Sequence, residues 1–95
     1  MSPEFYYLIT GASSGIGYAT ALHLATNPSN CILALARSGG KLQTLAQAAI
    51  HKNIKPIPFD LENGKTEHLI QELQKNGVTH LNAIIHNAGM LVNRG

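Results

Sequence analysis

The sequence predicts an α/β domain built on a parallel sheet, and three observations carry that prediction. Short apolar runs alternate with stretches of helical periodicity, a glycine-rich turn joins the first run to the first helix, and one run holds two prolines that suit only a sheet edge.

The elements follow in chain order. Phe5 to Ile9 is an apolar and aromatic run ending at Thr10 and Gly11, which reads as a buried strand closed by a tight turn. From Gly15, the residues Ile16, Ala19, Leu22 and Ala25 recur at helical spacing until Asn27-Pro28, where the restriction on the residue before proline should end the first helix. Cys31 to Ala36 is a continuous apolar run too short for a helix, hence a second strand, and Ser38 then offers an N-cap. Leu42, Leu45, Ala46, Ala49 and Ile50 form an unbroken apolar stripe on the second helix. Ile54 to Phe59 is a third strand. Its Pro56 and Pro58 remove N–H donors from the same side, so this strand belongs at an edge. Leu69, Ile70 and Leu73 mark a third helix, with Gly77 placed to close it, and Leu81 to Ile85 gives a fourth strand.

Composition narrows the function classes. With 95 residues the chain makes one domain at most, and 44% hydrophobic against 13% charged residues favours a folded chain. The net charge of +2 comes from seven scattered Lys and Arg, without the basic cluster of a nucleic-acid or membrane-surface binder. No apolar run approaches the ~18 residues of a membrane span. The single cysteine, Cys31, reads as a small buried hydrophobe and fits a reducing cytoplasm, which is the expected location. His23, His51, His68 and His80 lie apart with no cysteine partner, so no metal site is expected.

The chemistry concentrates in Thr10-Gly11-Ala12-Ser13-Ser14-Gly15-Ile16-Gly17, between the first strand and the first helix. Gly11 lets the chain turn sharply, Gly15 lets a pyrophosphate approach the backbone, and Gly17 lets the helix pack near the strand. Free N–H groups and the helix dipole attract the anion, and Ser13 and Ser14 add hydroxyl donors. A plain Gly-Ser turn with one serine capping the helix is the bland alternative.

This G-x-x-x-G-x-G spacing, together with Asn87-Ala88-Gly89 after the fourth strand, resembles the short-chain dehydrogenase/reductase family over the whole chain. The resemblance implies a partial Rossmann-type parallel sheet of strand order 3-2-1-4 with three crossover helices, the whole of residues 1–95 being one incomplete dinucleotide-binding domain. That order agrees with the edge placement argued from Pro56 and Pro58. Right-handed crossovers then put the first two helices on one face and the third on the other, with the cofactor crevice between strands one and four.

Within the resemblance, NAD sites usually place an acidic residue roughly 20 residues past the glycine motif to hold the ribose 2′-hydroxyl. Here Ala36 and Arg37 occupy that stretch, and no acidic residue occurs between Glu4 and Asp60. NADP(H) is therefore the expected cofactor, with Arg37 and the adjoining Ser38 on its 2′-phosphate; a solvated charge at a strand end is the alternative for Arg37. Asp60 and Leu61 resemble the family's adenine contact, though Asp60 could equally cap a helix or turn. Asn87, Ala88 and Gly89 resemble the family's segment that runs beside the cofactor ribose; a small-residue turn is the alternative. His86 stands where family members often carry Asn and reads as a packed or partly exposed histidine.

The resemblance implies hydride transfer between NADP(H) and a carbonyl or alcohol, using a serine and a Tyr-x-x-x-Lys pair. Tyr6, Tyr7 and Tyr18 are followed four residues later by Thr10, Gly11 and Leu22, so no catalytic residue is assigned here. Two classes stay open: the cofactor-binding N-terminal part of such an enzyme, truncated before its catalytic segment, or a noncatalytic nucleotide-binding or interaction module complete at 95 residues. A flavin- or other nucleotide-binding α/β unit is a third, which shares the glycine turn but gives no reason for Arg37 or Asn87-Ala88-Gly89. An uncovered fourth strand and a bare face beside the third helix would make self-association, a homo-oligomer, the expected state.

Overall fold

This computed structural model describes residues 4–12, 15–37, 39–60 and 64–86. Seven elements alternate: β1 (Phe5–Thr10), α1 (Gly15–Leu24), β2 (Asn30–Ala36), α2 (Gly39–Ala48), β3 (Ile54–Pro58), α3 (Thr66–Lys75) and β4 (Ala83–His86). The four strands are parallel and form one sheet of order β3-β2-β1-β4, as expected for a partial Rossmann-type domain.

The period of two along each strand sorts the side chains onto two faces. Ile9, Ile32, Ala34 and Ile54 face α1 and α2, where Ala21, Ala25, Leu42, Leu45 and Ala49 complete a buried layer. Leu8, Cys31, Leu33, Leu35 and Ile57 face the opposite way, packed with Leu69 and Leu73 of α3 and with Val78. Helices on both faces bury both sets, which is why β2 is apolar without alternation.

The register explains how β3 tolerates its prolines. Asn53 accepts from the Ile32 N–H through its carbonyl, and the Phe59 N–H donates to the Ala36 carbonyl, so odd-numbered groups of β3 point at β2. Pro56 and Pro58 have the other parity and turn their missing donors outward.

Several boundaries differ from the sequence expectation. α1 ends at Leu24, before Asn27-Pro28, because the Thr26 N–H and hydroxyl both donate to the His23 carbonyl and the Asn30 amide donates to the Leu24 carbonyl. α2 stops at Ala48; the chain then turns through Lys52, at φ 53°, and leaves Ile50 78% exposed instead of on the buried stripe. On α3 the buried-side pair is Leu69 and Leu73, and Ile70, about 100° further round a 3.6-residue helix, is 48% exposed. β4 begins at Ala83 rather than Leu81: Asn82 donates its N–H to the Tyr6 carbonyl, while its side-chain oxygen accepts from the Tyr6 N–H in place of a backbone carbonyl.

Candidate cofactor-binding site

Because all four strands are parallel, their C-terminal ends share one edge of the sheet, and the described site residues lie there or in the turns just beyond. Along that edge the order is Asp60 after β3, Arg37 after β2, Gly11 after β1 and His86 at the end of β4. Two backbone bonds hold the neighbours together: the Ala12 N–H donates to the Leu35 carbonyl at 3.2 Å, and the Phe59 N–H to the Ala36 carbonyl at 2.9 Å. Ser13, Ser14, Ser38, Leu61, Asn87, Ala88 and Gly89 lie outside the described residues.

The turn after β1 depends on its glycines in different ways. Gly11 and Gly15 adopt φ of 65° and 61°, the left-handed region that side chains disfavour. A Cβ on Gly17 would collide with the Gly11 carbonyl oxygen and lie 3.0 Å from the Gly11 carbonyl carbon, so only glycine lets α1 seat this closely on the end of β1. A Cβ on Gly15 would meet nothing within 4 Å among the described residues. Among the described residues, the space beside the first turn of α1 is therefore open.

That opening lies where an anion would bind. The first N–H groups of a helix have no partner within the helix, and its dipole adds partial positive charge. α1 carries no acidic residue in its first turn to compete. Ile16, in the same turn, is 68% exposed. Arg37 is exposed on the same edge and Asp60 is half-buried, and each already has an interaction partner in the fold.

One contact at this edge went unread in the sequence. The buried Thr10 hydroxyl and His86 Nδ1 share a 3.0 Å hydrogen bond, linking the ends of β1 and β4 by their side chains. The register pairs these two residues directly. Nothing in their spacing, 76 residues apart, signals it before strand pairing is known. Cys31 lies toward the other end of β2, where burial raises its thiol pKa above the ordinary value against a smaller lowering by Lys55.

The family model for short chain dehydrogenases matches residues 6–95. The chain belongs to the short-chain dehydrogenase/reductase family. It is similar to the short-chain dehydrogenase/reductase AacuF of Aspergillus aculeatus, with 33% identity over 87 residues that cover 90% of this chain and 32% of that protein. The uncharacterized oxidoreductase SH0585 of Staphylococcus haemolyticus is 48% identical over 56 residues, covering 59% of this chain and 24% of that one. Among solved structures, the KRED1-Pglu enzyme superposes with a TM-score of 0.68 and 26% identity, covering 84% of this chain and 33% of that one. The chain thus spans about a third or less of the length of these relatives.

Membership in the short-chain dehydrogenase/reductase family implies a nicotinamide dinucleotide, NAD or NADP. The turn suits such a group: among the described residues, Gly15 leaves open space beside a helix N-terminus whose first turn carries no carboxylate. Among the described residues, no helix is long and apolar enough to cross a membrane.

Proposed function

We propose that this chain is the NADP(H)-binding N-terminal part of a short-chain dehydrogenase/reductase, and that the parent enzyme transfers hydride between NADP(H) and a carbonyl or alcohol substrate. When bound, the nicotinamide supplies the hydride acceptor or donor; the residues of this chain bind and orient the dinucleotide. Gly11, Gly15, Ile16 and Gly17, with Ser13 and Ser14, hold the pyrophosphate through backbone N–H groups and hydroxyls. Asp60 and Leu61 take the adenine, and Asn87, Ala88 and Gly89 run beside the ribose.

The observation that carries the NADP(H) reading is Arg37, the first residue after β2, on the same sheet edge as the glycine turn. It stands where an NAD site would place a carboxylate, in a chain with no acidic residue between Glu4 and Asp60. With Ser38 it offers charge-assisted hydrogen bonds to the 2′-phosphate, each contributing ~1.5–3 kcal/mol, or about ten- to a hundredfold in affinity.

Calorimetric titration of the chain with NADPH and NADH tests this. NADPH should bind more tightly by about that factor, and Arg37→Asp should reverse the order. Equal affinities, or an unchanged preference in Arg37→Asp, overturn the NADP(H) assignment. Absence of binding by both overturns the reading that this chain alone forms the site.

A homo-oligomer and a cytoplasmic location belong to the same proposal. Support for the first is Ile84 of β4, an apolar side chain that is 62% exposed. Support for the second is the free thiol of Cys31, compatible with a reducing compartment.

A further inference from the structure

We infer that Asn76-Gly77, just past α3, is a latched site of spontaneous covalent modification, in which the helix cap holds back a reaction that the dipeptide is otherwise built to undergo. Asn-Gly is chemically predisposed to deamidate, because glycine puts no side chain in the way of its own backbone nitrogen. That nitrogen, after losing its proton to solvent base, attacks Asn76 Cγ; the Cγ–Nδ2 bond breaks and ammonia leaves. Water then opens the resulting cyclic imide to aspartate or isoaspartate. Water is the only co-reactant, and Gly77 is exposed, with open space where a Cβ would lie.

The fold restrains both the nucleophile and the leaving group. The Gly77 N–H donates to the Gln74 carbonyl at 3.0 Å and the Val78 N–H to the Leu73 carbonyl at 3.0 Å, the paired bonds of a Schellman cap with Gly77 at φ 78°. The Asn76 side-chain Nδ2 donates to the Glu72 carbonyl at 2.8 Å. Ring closure needs the Gly77 nitrogen to eclipse Asn76 Cβ, whereas Asn76 ψ is 10°, which puts that nitrogen close to eclipsing the residue's own nitrogen instead. The three bonds must open together before Cγ and the nitrogen can meet.

Reaction would then prevent the latch from closing again. A carboxylate at position 76 sits at the negative end of the helix dipole. An isoaspartate also lengthens the backbone between Leu73 and Val78, whose hydrogen bond and shared apolar packing secure the end of α3 to the sheet.

The test incubates the chain at mildly alkaline pH, folded and in urea, and maps deamidation by peptide mass spectrometry. Mapping separates Asn76 from Asn63-Gly64, the other Asn-Gly pair. Asn76 should react at least about tenfold more slowly in the folded chain, since only molecules with an open cap react. Val78→Ala, which loosens the cap without touching the reacting atoms, should speed the folded reaction and leave the rate in urea unchanged. Equal rates for the original chain folded and in urea overturn the latch, and absence of modification in urea overturns the site.

Discussion

Gly15 and Gly17 are separated by one residue in the first turn of α1, yet a methyl group added to each meets a different obstacle. At Gly15 there is room, and the cost is the left-handed backbone at φ 61°, roughly 1–2 kcal/mol. At Gly17 the backbone is permissive and the obstacle is the Gly11 carbonyl, an overpacking cost of about 1–3 kcal/mol. Gly17→Ala should therefore lift α1 from the turn and expose the Ala12 N–H to hydrogen exchange, whereas Gly15→Ala should keep that amide protected and weaken dinucleotide binding by filling the open space. Hydrogen exchange at Ala12, read beside calorimetry, separates the two. Gly11 and Gly17 were legible in the sequence because their place between the first strand and the first helix, read with the family resemblance, assigns a turn and a close approach. The Thr10–His86 bond was not, because its partners meet only through strand pairing.

At the level of elements, periodicity revealed which segments are helices and strands, while their ends depend on side chains from elsewhere. Asn53, just before β3, shows why. Its Nδ2 donates to the carbonyls of Ala25, Asn27 and Asn30 at 3.1, 3.2 and 2.7 Å, tying the α1–β2 connection to the start of β3 across more than twenty residues of chain. Two hydrogens serve three acceptors, so at least one is shared. An asparagine between Lys52 and Ile54 gives no sign of this in the sequence. Asn53→Ala should remove this shared donor, leaving the Asn27 carbonyl with the Asn30 N–H, and cost about 1–3 kcal/mol, a loss of roughly 4–8 °C in Tm per kcal/mol for a domain of this size. Thermal unfolding followed by circular dichroism reads it; an unchanged Tm would mean that solvent replaces Asn53 without loss. The exposure of Ile50 and Ile70 has the same origin. An apolar stripe marks a helix face, but where the helix stops and which flank of the stripe meets the sheet are decided by packing.

For the molecule as a whole, strand order was legible through the family resemblance, and the edge position of β3, separately, through Pro56 and Pro58. The sorting of α1 and α2 from α3 followed from crossover handedness. How far α3 covers its face was not legible, because coverage depends on where a helix lies over the sheet. Ile84, paired in register with the buried Leu8, is 62% exposed on that side. Sedimentation velocity should show association that rises with concentration, and Ile84→Lys should shift the chain toward monomer. A strictly monomeric chain at high concentration would overturn the homo-oligomer.

The prolines of β3 also give the sheet a direction of growth. A strand added beyond β3 would find no donor at Pro56 or Pro58, whereas the outward-facing residues of β4, Ala83 and Ile85, both carry an N–H. Recruitment of another strand, from whatever source, is thus steered toward the side nearer the dinucleotide crevice. On the opposite margin, Ile54 is the outward residue of β3 that keeps an N–H, beside the carbonyls of Pro56 and Pro58.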